Sequence, residues 1–434
     1  MPAAPRGDEG ARRAARASGS QTWCPCPVAR ARRPCPSPMI SFVCLQESFL
    51  LMQQYPPSVE HLLKRNPLTT DRARTRAAIE ARTVLVTGAG GSIGSALCRR
   101  IVGYDPKRLV LFDNSEHALY QIHDELARTS SAGKDRSAGV DYDRDSQKPA
   151  LTPVLGDICD SRLLEAVLDD WRPDIIFHTA AYKHVALLEY QPQAAIRNNA
   201  VGTYQLASAA LRHQIPRLVM LSTDKAVNPA SIMGASKRIA ELTVMMSTAD
   251  CKMTSVRLGN VIGSQGSVVP RFLAQIKRRM HLTVTDPEAA RYFLTQDEAA
   301  DLVASASWLG EGGDILVPDL GEPVRIVEIA REIIAALAPQ SPLAPQSHDG
   351  IGIVFAGLQP GEKVAEELLG RGEHAVLIPE CGMSRVLPMK QRLHEFSRNM
   401  ALLEELSRGR DTGVLVDLVC RIVPEYRPSR ALIG

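Results

Sequence analysis

Short apolar segments alternate with longer amphipathic segments along the middle of the chain, between Arg82 and Gly263. The apolar segments, such as TVLVT, RLVLF, PDIIF and RLVML, are nearly continuous in Val, Ile, Leu and Phe. The segments that follow them, such as SALCRRIV and SRLLEAVLDDW, have helical spacing. Strands with continuous apolar runs are buried on both faces, so the pattern predicts a parallel sheet with helices on both sides. The predicted fold class is α/β, a doubly wound parallel sheet of the dinucleotide-binding type.

The same pattern divides the chain into four regions. Residues 1–38 are rich in Arg, Ala and Pro without a helical or strand period. We expect a disordered extension there, or translation from a start upstream of the true one; a basic targeting segment is the less favoured alternative. Residues 39–80 are expected to form a helical lead-in and residues 81–265 the dinucleotide-binding domain. The pattern over residues 266–434 predicts a smaller substrate-binding lobe, with some of its segments returning to the main domain.

Composition argues against several classes of protein. The chain has 434 residues, 45% of them hydrophobic, and a formal net charge of +3, which favours neither a nucleic-acid binder nor a membrane-surface protein. No apolar run reaches the ~18 residues that a transmembrane helix needs. The nine cysteines are scattered and match neither a disulfide framework nor a metal motif. We therefore expect a cytoplasmic protein without a bound metal.

The segment TGAGGSIG is the strongest local signal for a ligand. It lies between an apolar strand and an amphipathic helix and contains Gly88, Gly91 and Gly94, with Ser92 and Ile93 between the last two. A tight turn, close approach to a pyrophosphate and close packing of helix on strand each favour a residue without a side chain. The N–H groups and partial positive charge of the helix N-terminus would then bind the phosphates. This context predicts a dinucleotide cofactor.

Acidic residues at two strand ends are candidates for cofactor contacts. Asp113 ends the second strand, roughly 20 residues past the last glycine, where a carboxylate bonds ribose hydroxyls. That carboxylate would repel a 2′-phosphate, and no arginine follows it closely, so we expect NAD rather than NADP. Asp157 ends the third strand and, with the neighbouring Ile158, could reach the adenine. A loop carboxylate without a ligand is an equal alternative for Asp157.

A second group of polar residues follows the strand RLVMLS. Thr223, Asp224 and Lys225 are consecutive there, and ligands of such sheets bind outside the carboxyl ends of the strands. A hydroxyl, a carboxylate and an amine at that edge can bind a sugar hydroxyl and move protons. On the next helix, Met233 and Lys237 lie one turn apart and share a face. The lysine could bind a nicotinamide ribose, whereas methionine has no proton to give and would pack.

Several longer segments carry a family resemblance. VTGAGGSIG, the strand end Thr223–Lys225 and the helix of Lys237 resemble the extended short-chain dehydrogenase/reductases, which normally have Tyr where this chain has Met233. STDKAVNPASIMGASKRIAE, RLGNVIGSQGSVVPRF, ARYFLT, GEPVRIVEIA and QPGEK are similar to the nucleotide-sugar 4,6-dehydratases of bacterial polysaccharide biosynthesis. Within these, the chain resembles the branch acting on UDP-N-acetylglucosamine, some of whose members have Met in place of Tyr. The resemblance covers about residues 62–369.

The resemblance implies a reaction on a UDP-sugar. NAD takes a hydride from C4, a base removes the C5 proton, an acid helps the C6 hydroxyl leave as water, and the hydride returns to C6. Thr223 would bond O4, Asp224 would be the acid, Lys225 the base, and Lys237 would hold the nicotinamide ribose. With Met233 in place of Tyr, the O4 proton would leave through a water or through Asp224. Adjacent opposite charges favour both charged forms, which opposes the acid and base roles.

The resemblance also extends the site to other segments. Ala180 and Ala181 would pass the cofactor, and Lys183 and His184 would line the sugar site, with a satisfied core histidine as the alternative for His184. Arg291 would pair with the diphosphate, because a planar guanidinium suits phosphate oxygens; a surface ion pair is the alternative. The remaining residues implied to meet the substrate are Asn199, Asn260, Ser267, Val268, Pro270 and Glu362.

Two other functions stay open on the sequence. A UDP-sugar 4-epimerase also oxidises C4 but needs no acid and base at C6 and C5, so the Asp224–Lys225 pair argues against it. A non-catalytic NAD-binding module is favoured only by Met233. Relatives form homo-oligomers, so we expect one here, with the helices around Asn199 and Lys237 as interface elements. Many relatives carry a preceding membrane-spanning region and an extra domain, and we expect a form with the catalytic domain only.

Overall fold

A computed structural model of the chain describes residues 63–131, 149–337, 350–379, 381–387 and 393–433. The predicted extension over residues 1–38 and much of the predicted lead-in over residues 39–80 lie outside these ranges. The described part of the lead-in includes one helix, Arg72–Ile79. Among the described helices, none combines the length and apolarity needed to cross a membrane.

The strands of the described residues form one large sheet and three two-stranded ladders. In chain order the strands are β1 (Thr83–Thr87), β2 (Arg108–Asp113), β3 (Ala150–Leu155), β4 (Ile175–His178), β5 (Arg217–Thr223), β6 (Lys252–Leu258), β7 (Asn260–Val261), β8 (Leu282–Val284), β9 (Ala290–Arg291), β10 (Phe293–Leu294), β11 (Asp314–Pro318), β12 (Val324–Arg325), β13 (Ile353–Phe355), β14 (Ala375–Ile378) and β15 (Met383–Val386). The order across the large sheet is β3–β2–β1–β4–β5–β6–β11–β15–β14. Strands β3 to β11 in this order pair in parallel, which confirms the predicted doubly wound sheet, and β15 and β14 add an antiparallel edge.

Helices provide the crossovers that parallel strands require. In chain order they are α1 (Arg72–Ile79), α2 (Ser92–Val102), α3 (Glu116–Ser131), α4 (Ser161–Trp171), α5 (Val185–Glu189), α6 (Pro192–Ala195), α7 (Thr203–Arg212), α8 (Ile232–Thr243), α9 (Val268–Lys277), α10 (Gln296–Leu309), α11 (Ile326–Leu337), α12 (Leu393–Arg408), α13 (Thr412–Ile422) and α14 (Arg430–Ile433). A π turn, Ile196–Gly202, joins α6 to α7, and a 3₁₀ turn, Asp224–Ala226, follows β5.

The reversal of strand order at β1 positions the site. Thr87 at the end of β1 lies opposite Phe112 of β2 on one side and His178 of β4 on the other. The connection after β1 leads to β2 on one side, and the connection after β3 brings the chain back to β4 on the other side of β1. This reversal opens a crevice outside the carboxyl ends of the strands. Every residue of β1 is buried, and this explains its continuous apolar run.

Two elements from the C-terminal part of the chain belong to the main sheet and its covering layer. β11 pairs in parallel with β6, with Ile315 opposite Ser255. α10 packs beside α2 in the same core, where Leu97 and Leu302 are both fully buried. Residues 266–434 therefore contribute to the main domain as well as to the small ladders β7–β10, β9–β12 and β8–β13.

The last helices pack over α8 and the π turn. One apolar cluster contains Ile239 of α8 together with Phe396 and Leu403 of α12. Every residue of α8 is buried. Helices α12 and α13 of the same chain therefore cover this face of α8. The expected homo-oligomer, with the helices around Asn199 and Lys237 as interface elements, stays a prediction.

Candidate active site

A cavity of about 630 Å³ lies at the carboxyl ends of β4, β5 and β6, beside the glycine-rich turn. It brings together side chains that the sequence predicted for both the cofactor and the chemistry. The predicted residues that line it are Gly91, Ser92, Ile93, Gly94, Ala181, Lys183, His184, Thr223, Lys225, Met233, Lys237, Asn260 and Ser267. The predicted residues outside its lining are Gly88, Asp113, Asp157, Ile158, Ala180, Asn199, Asp224, Val268, Pro270, Arg291 and Glu362.

The glycine-rich turn has a backbone that side chains would disrupt. Gly88 has φ +70°, a left-handed conformation that other residues rarely adopt, and a Cβ there would collide with the backbone of Ala180. A Cβ on Gly94 would collide with the carbonyl oxygen of Gly88, so glycine allows α2 to begin close to β1. Gly91 caps α2 without a side-chain hydrogen bond, so no capping side chain competes for the first N–H groups of the helix. This end of α2 fits a pyrophosphate.

Asp113 lies at the end of β2, buried beside this turn. Its two carboxylate oxygens accept hydrogen bonds from the N–H of Gly90 at 2.8 Å and from the N–H of Ser115 at 2.9 Å. These bonds fix the turn to the start of α3, while each oxygen keeps lone-pair capacity for a ribose hydroxyl. Asp157 accepts a backbone N–H within its own loop, and Ile158 is buried in the apolar core.

Thr223, Asp224 and Lys225 form one hydrogen-bonded group. Asp224 Oδ1 accepts a hydrogen bond from Thr223 Oγ1 at 2.9 Å and another from Lys225 Nζ at 2.9 Å. Lys225 Nζ also donates to Asn260 Oδ1 at 2.8 Å. Asp224 is fully buried, and its Oδ2 has no hydrogen-bond partner among the described residues. The Thr223 hydroxyl and the Lys225 amine, which line the cavity, are thus connected through the buried carboxylate of Asp224.

The charges around Lys225 favour its protonated form. Burial by itself lowers the pKa of this amine, but Asp224 and Glu366 outweigh burial and raise the pKa above its ordinary value. Glu366 Oε1 lies 3.7 Å from Lys225 Nζ. The group is therefore an ion pair in this structure, rather than the neutral acid and free amine that an elimination needs. This is the conflict that the adjacency of Asp224 and Lys225 predicted.

Helix α8 holds Met233 and Lys237 in the cavity wall. It begins at Ser231, whose hydroxyl accepts a hydrogen bond from the N–H of Gly234 at 3.0 Å. Burial lowers the pKa of Lys237 to about 8, and Glu241 opposes this shift in part. Within the described ranges the Lys237 ammonium has no hydrogen-bond partner, so a ligand in the cavity can accept its hydrogen bonds.

Asn199 positions the loop of Lys183 and His184 and does not line the cavity. It is fully buried, and its side chain exchanges hydrogen bonds with the N–H of Tyr182 at 2.8 Å and with the carbonyl of Tyr182 at 2.9 Å. Its Nδ2 also donates to Ser236 Oγ at 3.0 Å, which joins the π turn to α8. Lys183 and His184 line the cavity, and desolvation lowers the pKa of both side chains.

Arg291 is buried against the loop that contains Glu362. Its Nη1 donates to the carbonyl of Val364 at 2.8 Å, and its Nη2 donates to the carbonyl of Lys363 at 2.8 Å and to Glu362 Oε1 at 3.0 Å. The guanidinium thus fastens this loop to β9. Contact of Arg291 with the diphosphate, and of Glu362 with the uridine side of the substrate, stays a prediction.

Sequence reasoning missed His178 and Glu366. His178 Nδ1 lies 2.7 Å from Thr87 Oγ1, and its Nε2 lies 2.8 Å from Thr203 Oγ1. Burial, and then the charge of Lys237, lower the pKa of His178 to about 3, so the ring is neutral. The sequence did contain a signal for His178, because this residue is the one polar residue of the apolar strand segment IIFH. Glu366 gave no such signal, because only the tertiary fold brings it to Lys225. In the part of the chain that the structure describes, no group of three His, Cys, Asp or Glu is placed to hold a metal ion.

The doubly wound sheet, the glycine-rich turn after β1 and the lysine on α8 beside the cavity define the fold of an extended short-chain dehydrogenase/reductase. Residues 84–382 match the family described as polysaccharide biosynthesis protein, and the chain belongs to this family. The family resemblance drawn from the sequence is confirmed.

Proteins similar to this chain include relatives described as a polysaccharide biosynthesis protein and as a UDP-glucose 4-epimerase. The capsular polysaccharide biosynthesis protein CapD of Staphylococcus aureus is 42% identical over 318 residues, which cover 73% of this chain and 49% of CapD. A UDP-glucose 4-epimerase of Rickettsia akari is 30% identical over 336 residues, covering 75% of this chain and 90% of the epimerase. Pen from Bacillus thuringiensis, a solved structure, is similar with a TM-score of 0.60 and 27% identity over 71% of this chain and 89% of Pen. The chain spans about half the length of CapD.

Proposed function

We propose that the chain is an NAD-dependent nucleotide-sugar 4,6-dehydratase that converts UDP-N-acetylglucosamine to a UDP-2-acetamido-2,6-dideoxy-4-hexulose for polysaccharide or glycan synthesis. The observation that carries this proposal is the amine of Lys225 in the cavity wall, hydrogen-bonded to the buried carboxylate of Asp224 behind it. Elimination of water across C5 and C6 needs one group that gives a proton and one that takes a proton. A reaction confined to C4 needs no such pair.

The residues around the glycine-rich turn fit NAD. The N-terminus of α2 would bind the pyrophosphate, and Asp113 would accept the hydroxyls of the adenosine ribose and repel a 2′-phosphate. Lys237, with its ammonium at the cavity, would hold the nicotinamide ribose. When bound, NAD supplies the acceptor of the C4 hydride and its donor to C6.

The hydrogen bond between Thr223 and Asp224 gives the O4 proton a route that does not need a tyrosine at position 233. Thr223 Oγ1 would accept the proton from O4 while its own proton passes to Asp224 Oδ1, 2.9 Å away. Asp224 then becomes the neutral acid that protonates the leaving C6 hydroxyl, so the proton lost from O4 leaves in the water. Loss of the negative charge on Asp224 also lowers the pKa of Lys225, so the ammonium releases a proton to solvent in the cavity that Lys225 lines, and the free amine then removes the C5 proton.

A UDP-sugar 4-epimerase is the second candidate. Relatives described as UDP-glucose 4-epimerase are 30% identical to this chain over 336 residues, which cover 75% of it. Such an enzyme removes and returns a hydride at C4 alone, so it would leave Asp224 and Lys225 without chemistry at C5 and C6.

Mass spectrometry of the product separates the two candidates. The purified protein is incubated with UDP-N-acetylglucosamine, and in parallel with UDP-glucose, in the presence of NAD⁺. A dehydratase gives a product lighter by one water molecule, whereas an epimerase gives a sugar of unchanged mass. Lys225→Ala should abolish the dehydrated product and still bind NAD in a calorimetric titration. Normal dehydration by that variant would refute the base role of Lys225, and an epimer alone would replace the proposed function.

A further inference from the structure

We propose that Glu366 is a positioning residue that controls the proton on Lys225, an inference that rests on the proposed 4,6-dehydratase function. Glu366 is 5% exposed, and its Oε1 lies 3.7 Å from Lys225 Nζ. Lys225 therefore lies between two carboxylates, because Asp224 Oδ1 is 2.9 Å from the same amine. The acid–base chemistry assigned above uses only one of them.

The loop that carries Glu366 is fastened on two sides. On one side, the N–H of Ala290 in β9 donates to the carbonyl of Val364 at 2.9 Å, and Arg291 binds the same segment through its guanidinium. On the other side, Lys363 Nζ donates to the carbonyl of Val227 at 2.7 Å, directly after the 3₁₀ turn that contains Lys225. Arg291 and Lys363 thus hold a buried carboxylate against the reacting amine.

The surrounding charges keep Glu366 ionised. Its burial raises the pKa of the carboxyl, but Lys225, Lys363 and Arg291 outweigh burial and lower it. Lys363 Nζ lies 3.3 Å from Glu366 Oε2. The charges of Asp224 and Glu366 favour the ammonium form of Lys225, and the charge of Arg291 opposes it. When Asp224 takes the O4 proton and becomes neutral, Glu366 is the carboxylate that still stabilises the ammonium form of Lys225.

A persistent charge at Glu366 suits the sequence of proton transfers. Lys225 must take the C5 proton, hold it as an ammonium while the hydride reaches C6, and give a proton back to C5. A carboxylate that stays ionised stabilises this ammonium. The alternative is a structural carboxylate that only neutralises Lys363 and Arg291, and that would leave the titration of Lys225 unaffected.

Titration of Lys225 in three variants distinguishes these cases. Glu366→Gln removes the charge and keeps the shape, whereas Glu366→Asp keeps the charge but withdraws it from Lys225 Nζ by one methylene group. Glu367→Gln is the matched control, because Glu367 is the exposed neighbour in the same loop. Labelling of Lys225 by a small amine-acylating reagent, followed across pH by peptide mass spectrometry, reports its free-amine form without substrate; the side chain is 20% exposed. The pH profile of dehydration is measured alongside.

The two test variants should shift in the same direction by different amounts. For Glu366→Gln we expect both the labelling curve and the rising limb of the dehydration profile to move to lower pH. For Glu366→Asp we expect a smaller shift to lower pH, and Glu367→Gln should overlay the wild type.

A Glu366→Gln labelling curve that overlays the wild type overturns the proposal, as does an equal shift in Glu367→Gln. If Glu366→Gln does not fold, the absence of a shift in Glu366→Asp overturns it. Labelling needs no turnover, so the expected labelling shifts in a protein that forms no dehydrated product would refute the proposed function and leave the Glu366–Lys225 coupling standing.

Discussion

Single residues at the site hold charges that a folded chain normally avoids burying. Lys237 is 5% exposed without a hydrogen-bond partner among the described residues, and Asp224 has a buried oxygen without one. Such groups lower stability but are typical of sites that bind charged ligands and move protons. The strand-end rule predicted Thr223, Asp224 and Lys225 because the carboxyl ends of parallel strands meet at one edge. It could not predict Glu366, which reaches Lys225 through a loop without periodic structure.

Replacing Lys237 with methionine should stabilise the protein and abolish activity. Burial lowers the pKa of Lys237 to about 8 from the ordinary value of 10.5, so the unfolded state binds more protons between these pH values. The loss of unfolding free energy caused by burying charged Lys237 is complete below pH 8 and disappears as the pH rises to 10.5. We expect Lys237→Met to gain on the order of 1–3 kcal/mol at pH 7 and little near pH 10.5, measured by urea denaturation. Lower stability than the wild type at pH 7 would contradict this reading.

Individual elements of the sheet could be predicted better than the packing around them. The predicted apolar strands correspond to β1 to β6. Strands β1, β2, β4, β5 and β6 are largely buried and keep a nearly continuous apolar sequence, whereas β3 at the sheet edge is exposed or half-buried. The antiparallel edge of β15 and β14 was not predicted, since short strands leave a weak periodic signal. Nor could the sequence show that α12 and α13 cover α8. An amphipathic period identifies the apolar face of a helix but not its partner.

Truncation of Leu403 tests the contact between α12 and α8. Leu403 is fully buried in the cluster that contains Ile239, whereas its neighbour Leu402 is 39% exposed. We expect Leu403→Ala to lower the free energy of unfolding by about 2–5 kcal/mol. Leu402→Ala, the matched control on the same helix, should change it by less than about 1 kcal/mol. Equal effects in chemical denaturation would mean that α12 is not packed as described.

The molecule as a whole is joined beneath the site by a buried cluster of charges. Arg257 of β6 donates to Glu241 of α8 at 3.0 Å and 2.9 Å and to Glu373 at 2.8 Å and 3.1 Å. Ser222, next to Thr223, donates to Glu241 at 2.8 Å. Strand β6, helix α8 and the loop that contains Glu373 are thereby fixed relative to the strand end that carries Thr223, Asp224 and Lys225. The alternating pattern could predict the strand order, but not this cluster, because its members are distant in sequence.

Removing Arg257 should therefore cost far more stability than removing a surface arginine. Arg257→Met leaves Glu241 and Glu373 buried with fewer partners, and we expect a loss of about 3–5 kcal/mol. Arg99 pairs with Glu125 where both side chains are nearly half exposed, so Arg99→Met should lose about 0–1 kcal/mol. Thermal and urea denaturation of both variants measure the difference. Similar losses would show that the cluster contributes little to holding the elements together.

Hydrogen exchange at C5 tests the proposed elimination most directly. The protein is incubated with UDP-N-acetylglucosamine and NAD⁺ in deuterated water, and the sugar is followed by NMR. We predict a 4-keto-6-deoxy product with solvent deuterium at C5 and no net formation of NADH, because Lys225 exchanges its protons with solvent and the hydride returns to C6. A C4 epimer without deuterium at C5 would contradict the dehydratase function and assign the site to an epimerase.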